Sequence, residues 1–170
     1  MKKLYFLFTL MFAFSIQSQV IITEIADPNN ESKARFIELA NIGDNAFDLT
    51  GYQLVRWTNA NTAYTTSSAV DLSEFGSLQS KGILTLANNT KFETVYSVAP
   101  TKVIGSGGPA DSNGDDNIAI MDPNGSIYDV YGVPGTDGTG QPHEFGDGRA
   151  ERKGSVTAPS STWDLNEWNI

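Results

Sequence analysis

The sequence predicts an all-β domain, an antiparallel β-sandwich with at most one short helix. Three observations predict it. Short runs with alternating apolar residues recur along the chain, clusters of Gly, Asn, Asp and Pro separate them, and the strand–helix–strand alternation of a parallel sheet is missing. At 170 residues the chain is one domain's worth, long enough to bury a core without staples. It holds no cysteine, which excludes disulfides, zinc–thiolate sites, a cysteine nucleophile and a lipid-anchored N-terminal cysteine.

At the N-terminus, Lys2 and Lys3 precede an apolar run from Leu4 to Ile16, broken only by Thr9 and Ser15 and followed by Gln17-Ser18-Gln19. This is the layout of a signal peptide over residues 1–19, and the run is short of the ~20 residues that span a bilayer. Export is expected, with cleavage after Gln19 or at Ala13-Phe14-Ser15, and no stable membrane insertion afterwards. The whole chain carries a net charge of −9; losing Lys2 and Lys3 leaves nine Lys and Arg against twenty Asp and Glu, or −11. Such a surface repels phosphate backbones and anionic lipid, which argues against a nucleic acid partner.

Val20 to Ala26 reads as the first strand, with Val20, Ile22 and Glu24 on one face and Ile21, Thr23 and Ile25 on the other. Asp27-Pro28-Asn29-Asn30 turns the chain. In Ala34 to Ile42, Ile37 and Leu39 alternate with Phe36, Glu38 and Ala40, so one face is wetter. Asn41, Gly43, Asp44, Asn45 and Gly51 tolerate left-handed backbone angles or make local turns, and Tyr52 to Thr58 returns as the next strand. Asn59 to Ser68 is polar loop, Val70 and Leu72 pair weakly, and Gly82 to Ala87 is a further strand. Asn88 to Tyr96 is the helical candidate, capped by Asn88 or Asn89 and stopped before Pro100. Lys102 to Ile104 is a brief strand. Ile118 to Met121 and Ile127 to Tyr131 then flank Asp122-Pro123-Asn124-Gly125 as a hairpin.

Several of these residues stand in a recognisable order. Phe36, Glu38-Leu39, Asn41 and Leu49-Thr50-Gly51-Tyr52-Gln53-Leu54, then Ser80-Lys81-Gly82 with its strand, then the closing hairpin, resemble lamin tail domains, the modules of nuclear lamins and of many secreted bacterial proteins. The resemblance runs from Val20 to Gly132. It implies an immunoglobulin-like antiparallel sandwich over residues 20–132, with residues 133–170 as a C-terminal extension packed on it.

Within that extension, Arg149 and Arg152 are candidates for carboxylate pairing or for stacking on indole, and Trp163 and Trp168 for binding. A latch, with both tryptophans lying against the sandwich, is preferred over DNA or glycan contact because large aromatics usually contribute burial first. Trp57 beside Arg56 is the candidate for an exposed binding patch, whereas Tyr52 is expected in the core. Asp111, Asn113 and Asp115 place oxygens at alternate positions, Asp116 follows directly and Asp122 falls at the twelfth, so the five are candidate calcium ligands. Glycine sits at the fourth position instead of the sixth and the last ligand is Asp, a partial match only. A plain turn is the competing reading.

Catalytic residues are not expected. His143 is the only histidine and has no second histidine to form a zinc helix, and no Gly-x-Ser-x-Gly elbow occurs. Glu24 and Glu38 fall on adjacent strands and read as framework, not as a hydrolytic pair. The function expected is therefore a secreted, periplasmic or cell-surface binding or adhesion module. It would act as a monomer, need no cofactor unless calcium, and contact an extracellular protein or glycan. The alternatives are an accessory domain of a secreted hydrolase or nuclease system and a calcium-dependent structural module.

Overall fold

The computed structural model describes residues 19–170, so the expected signal peptide falls outside the described residues apart from Gln19. The chain runs through β1 (Val20–Ala26), β2 (Phe36–Asn41), β3 (Phe47–Asp48), β4 (Gln53–Trp57), β5 (Val70–Asp71), β6 (Ser77–Leu78) and β7 (Ile83–Ala87). Then come α1 (Lys91–Tyr96), β8 (Lys102–Val103), β9 (Asn117–Met121), β10 (Ile127–Tyr131), β11 (Arg149–Arg152) and β12 (Trp168–Asn169). A six-stranded sheet in the order β12-β11-β1-β2-β7-β8 faces a four-stranded sheet in the order β10-β9-β4-β5, and β3 pairs with β6 beside them. Pairing is antiparallel except between β7 and β8, which run parallel. No helix among the described residues is long and apolar enough to cross a membrane.

The core lies between the sheets. Val20, Ile22, Ile25, Ile37, Leu39, Leu84 and Leu86 come from one side and Leu54, Ile118, Ile120 and Tyr131 from the other. Strict alternation separates Ile22 from Ile25, yet both point inward. The register explains this: Ile22 stands opposite Leu39 and Glu24 opposite Glu38, so Thr23 is an extra residue, a β-bulge that shifts the following side chains to the other face. The motif residues have clear structural work. Asn41 is fully buried; its Nδ2 donates to the Asn45 and Leu78 carbonyls, and its Oδ1 accepts from Gly43 and Gln19. It thereby closes the turn after β2. The helix begins later than its sequence signal, at Lys91, because Asn88 is already engaged, its N–H donating to the Arg35 carbonyl and its Nδ2 to Asp111.

A second apolar layer lies on the outer face of the four-stranded sheet, where Val55, Trp57, Ala119, Met121 and Val130 are covered by Tyr64, Ala69, Ile127 and Trp163. A third, smaller one packs Phe92 of α1 on Ala26, Phe36 and Ala87. The segment after Gly132 is part of the sheet architecture. β11 pairs with β1 from Glu24 to Ala26, and β12 pairs with β11. Ala150 and Trp168 are buried in the main core. Burying a side chain of that size contributes roughly 1.5–3 kcal/mol, enough to hold the segment down. The loops meet at backbone distance too: the Phe145 N–H donates to the Gly114 carbonyl at 2.9 Å.

Candidate functional site

The residues that the sequence offered as a binding set are mostly internal. Trp57 is only 5 % exposed, against the expectation of an exposed patch, because the loop carrying Tyr64 and the segment carrying Trp163 cover that face of β4. Arg56 sits on the opposite face of the strand and pairs with the buried Asp116 at 3.1 Å. Burial pushes the Asp116 carboxyl up, and the Asn59 N–H and Arg56 pull it back.

Arg152 and Trp168 are also inside. β11 covers β1 only as far as Glu24, and below that point the Ile22 N–H is capped by the Asp129 carboxylate of β10 at 2.8 Å. Arg152 turns in where the strand pairing stops. Its Nη1 lies 3.2 Å from both oxygens of Asp129, its Nη2 lies 2.6 Å from Glu167, and its guanidinium stacks 4.8 Å from the Trp168 ring. The Ser160 N–H also donates to Asp129. One buried ion cluster thus ties both sheets to the C-terminal segment. Burial pushes the Asp129 carboxyl up to about 6, while Arg152 and the two backbone N–H groups pull it down. Trp163 is half-buried and meets Tyr131 and His143 edge-on. His143 is buried there, its imidazole held below its usual value by desolvation, with Asp137 opposing. Of the six candidates only Arg149 is well exposed, and it pairs with Glu24 and Glu151.

The five calcium candidates do not converge. β9 separates Asp116 from Asp122, which puts them roughly 20 Å apart at ~3.3 Å per residue. Asp122 instead caps its own hairpin, accepting from the Asn124 and Ser126 N–H groups. Asp111 is held by Arg35, Asn88 and Gly107, and Asp115 accepts from Asn59 and Asn113 through one oxygen. Among the described residues no group of three or more acidic or histidine side chains is arranged to hold a metal ion.

What remains partly open is the outer face of the six-stranded sheet, between α1 at one end and residues 153–157 at the other. At its middle, Glu38, Glu24 and Glu151 stand directly opposite one another across β2, β1 and β11. The Thr23 hydroxyl donates to Glu38 at 2.7 Å. Burial pushes the Glu24 carboxyl up, Arg149 lowers it, and the two neighbouring glutamates raise it again. Beyond this row, toward the start of β1, a groove of about 470 Å³ is walled by the chain from Lys153 to Thr157. Ile21, Ala40, Ile83 and Val156 give it an apolar lining, and Lys81 and Lys153 stand at its rim. Ile83 is 53 % exposed. Of the groove residues only Arg152 was offered from sequence as a binding candidate, and Asn41 and Lys81 entered only as motif residues. The available signal was Ile83, an apolar side chain on the same strand face as Thr85, where a solvent-facing residue would ordinarily be polar.

The lamin tail domain family model matches residues 15–135, from before β1 to just beyond β10. No curated protein matches the chain. With its motif residues building the turns and registers described above, and with that match over most of its length, the chain belongs to the lamin tail domain family of immunoglobulin-like sandwiches.

Proposed function

We propose that the protein is an exported, non-catalytic binding module that holds an extracellular protein on the outer face of its six-stranded sheet. The observation that carries this reading is the open groove between the sheet and residues 153–157, with Ile83 exposed at its mouth. Exposed apolar side chains set among polar ones mark docking surfaces. A protein is favoured over a glycan because sugar recognition relies on presented aromatic faces, and Trp57 and Trp168 are buried and Trp163 half-buried. Export is supported by the Lys2-Lys3 and Leu4 to Ile16 layout.

The test is affinity capture from an extracellular protein fraction with the wild type and with Ile83→Glu. A protein species retained by the wild type, lost by the variant and indifferent to glycosidase treatment is the expected result. Binding to a glycan array with no protein captured would overturn the reading.

A further inference from the structure

The groove has a charge arrangement that specifies its occupant, on the binding-module reading above. The chain as a whole carries −9, so a cationic rim is a local exception. Lys153 donates from Nζ to the Asn166 carbonyl, and no carboxylate among the described residues lies within 4 Å of it. An ammonium has three N–H donors, so two remain for a ligand. Lys81 donates to the Ile42 carbonyl and lies 3.6 Å from Asp44, but both side chains of that pair are largely in solvent, where such pairing is weak. Arg152, the third cation of the lining, is already neutralised inside by Asp129 and Glu167. On the other flank, the row of Glu38, Glu24 and Glu151 repels acids.

We propose that this groove takes an extended peptide segment of a partner protein, seating an aliphatic side chain on Ala40, Ile83 and Val156 above the buried Ile21 and setting a neighbouring carboxylate against Lys153 and Lys81. The volume accommodates a branched side chain with its backbone, and lies within the usual range of ~300–1,000 Å³ for ligand pockets. The glutamate row sets the polarity, since an acidic residue on that flank meets like charge. Apolar burial holds the segment and the lysines choose it.

The experiment is a methyl NMR titration of the full mature protein with the blocked peptide acetyl-Ile-Val-Glu-Glu-amide. Two twins serve as controls, one with both Glu replaced by Gln and one with Ile-Val replaced by Ser-Ser. Saturable shifts at the Ile21, Ile83 and Val156 methyls are expected, with binding roughly fivefold weaker for the Gln twin and for Lys153→Glu. The Ser twin and Ile83→Glu should show no saturation; Ile83 is exposed, so a circular dichroism spectrum unchanged from wild type keeps the variant informative. No saturation with the first peptide at millimolar concentration, equal binding of the Gln twin, or shifts confined to the other sheet overturns the proposal. Capture of a protein partner that survives both Ile83→Glu and Lys153→Glu overturns the groove assignment alone. Capture by neither wild type nor variants overturns the binding-module reading with it.

Discussion

Removing Arg152 tests the buried cluster that joins the two sheets. Arg152→Met keeps the aliphatic bulk but leaves Asp129, which is fully buried, with only the Ile22 and Ser160 N–H groups. At 3.2 Å the lost attraction is about 5 kcal/mol for an effective dielectric of ~20, and stranding one partner of a buried pair costs roughly 3–5 kcal/mol. The carboxyl has an escape, because it can take a proton at ~1.4 kcal/mol per pH unit above its pKa. That pKa is already raised to about 6 in the folded protein and rises further without the guanidinium. For a group raised above its unfolded value, the stabilising contribution is complete below the unfolded pKa and is lost as pH climbs through the folded one. The variant's folded value lies above the wild type's, so the gap between the two proteins narrows as pH falls from 8 to about 6. Urea unfolding followed by tryptophan emission should show a loss of ~3 kcal/mol at pH 8 and clearly less at pH 5.5. Asp129→Asn combined with Arg152→Met should recover more than half of it. A loss under about 1 kcal/mol at pH 8, the same loss at both pH values, or no recovery in the double variant would refute the reasoning.

The glutamate row should be destabilising at neutral pH. Glu151→Gln is expected to stabilise the protein by roughly 0.2–1 kcal/mol at pH 7. The gain should shrink toward pH 4 as the raised Glu24 carboxyl is neutralised, and a gain independent of pH in thermal melts would contradict this. Gly114→Ala should cost more than about 2 kcal/mol. Gly114 has φ of +100° and an added Cβ would lie 2.2 Å from the Gly146 backbone; an unchanged urea midpoint would contradict the close approach of these loops. Millimolar calcium should leave the melting midpoint where a chelator leaves it, because Asp122 is held at the far end of β9. A calcium-dependent rise abolished by Asp115→Ala would overturn that expectation.

The longer strands from Phe36 to Tyr131 were legible because they stand between their own turn residues, and the Asx-rich turns announced the hairpins; the two-residue β3 and β6, which pair only with each other, were not. The bulge at Thr23 was not, since β1 is apolar on both faces at Ile21 and Ile22 and one extra residue leaves no compositional trace. Trp57 was misplaced for a related reason. Alternation separates two faces, but only the loop around Tyr64 and the segment around Trp163, distant in sequence, decide which one is covered. β11 was invisible because Arg-Ala-Glu-Arg looks solvated; Arg152 is internal only because Asp129, 23 residues earlier, receives it. The groove was hidden in the same way, as a product of where residues 153–157 return.

The pairing of β11 with β1 also sets an order of events. Among the described residues β1 is the first strand made, and it has its second neighbour only when residues 149–152 arrive, a separation of about 125 positions that makes the contact slow to form. Until then, a strand rich in Val and Ile presents a bare edge, the surface on which unfinished chains join one another. The sequence at that edge, with Thr23 bulged and Glu24 charged, is poorly suited to pairing with a copy of itself. A protein built this way guards β1 with irregularity while it waits for β11.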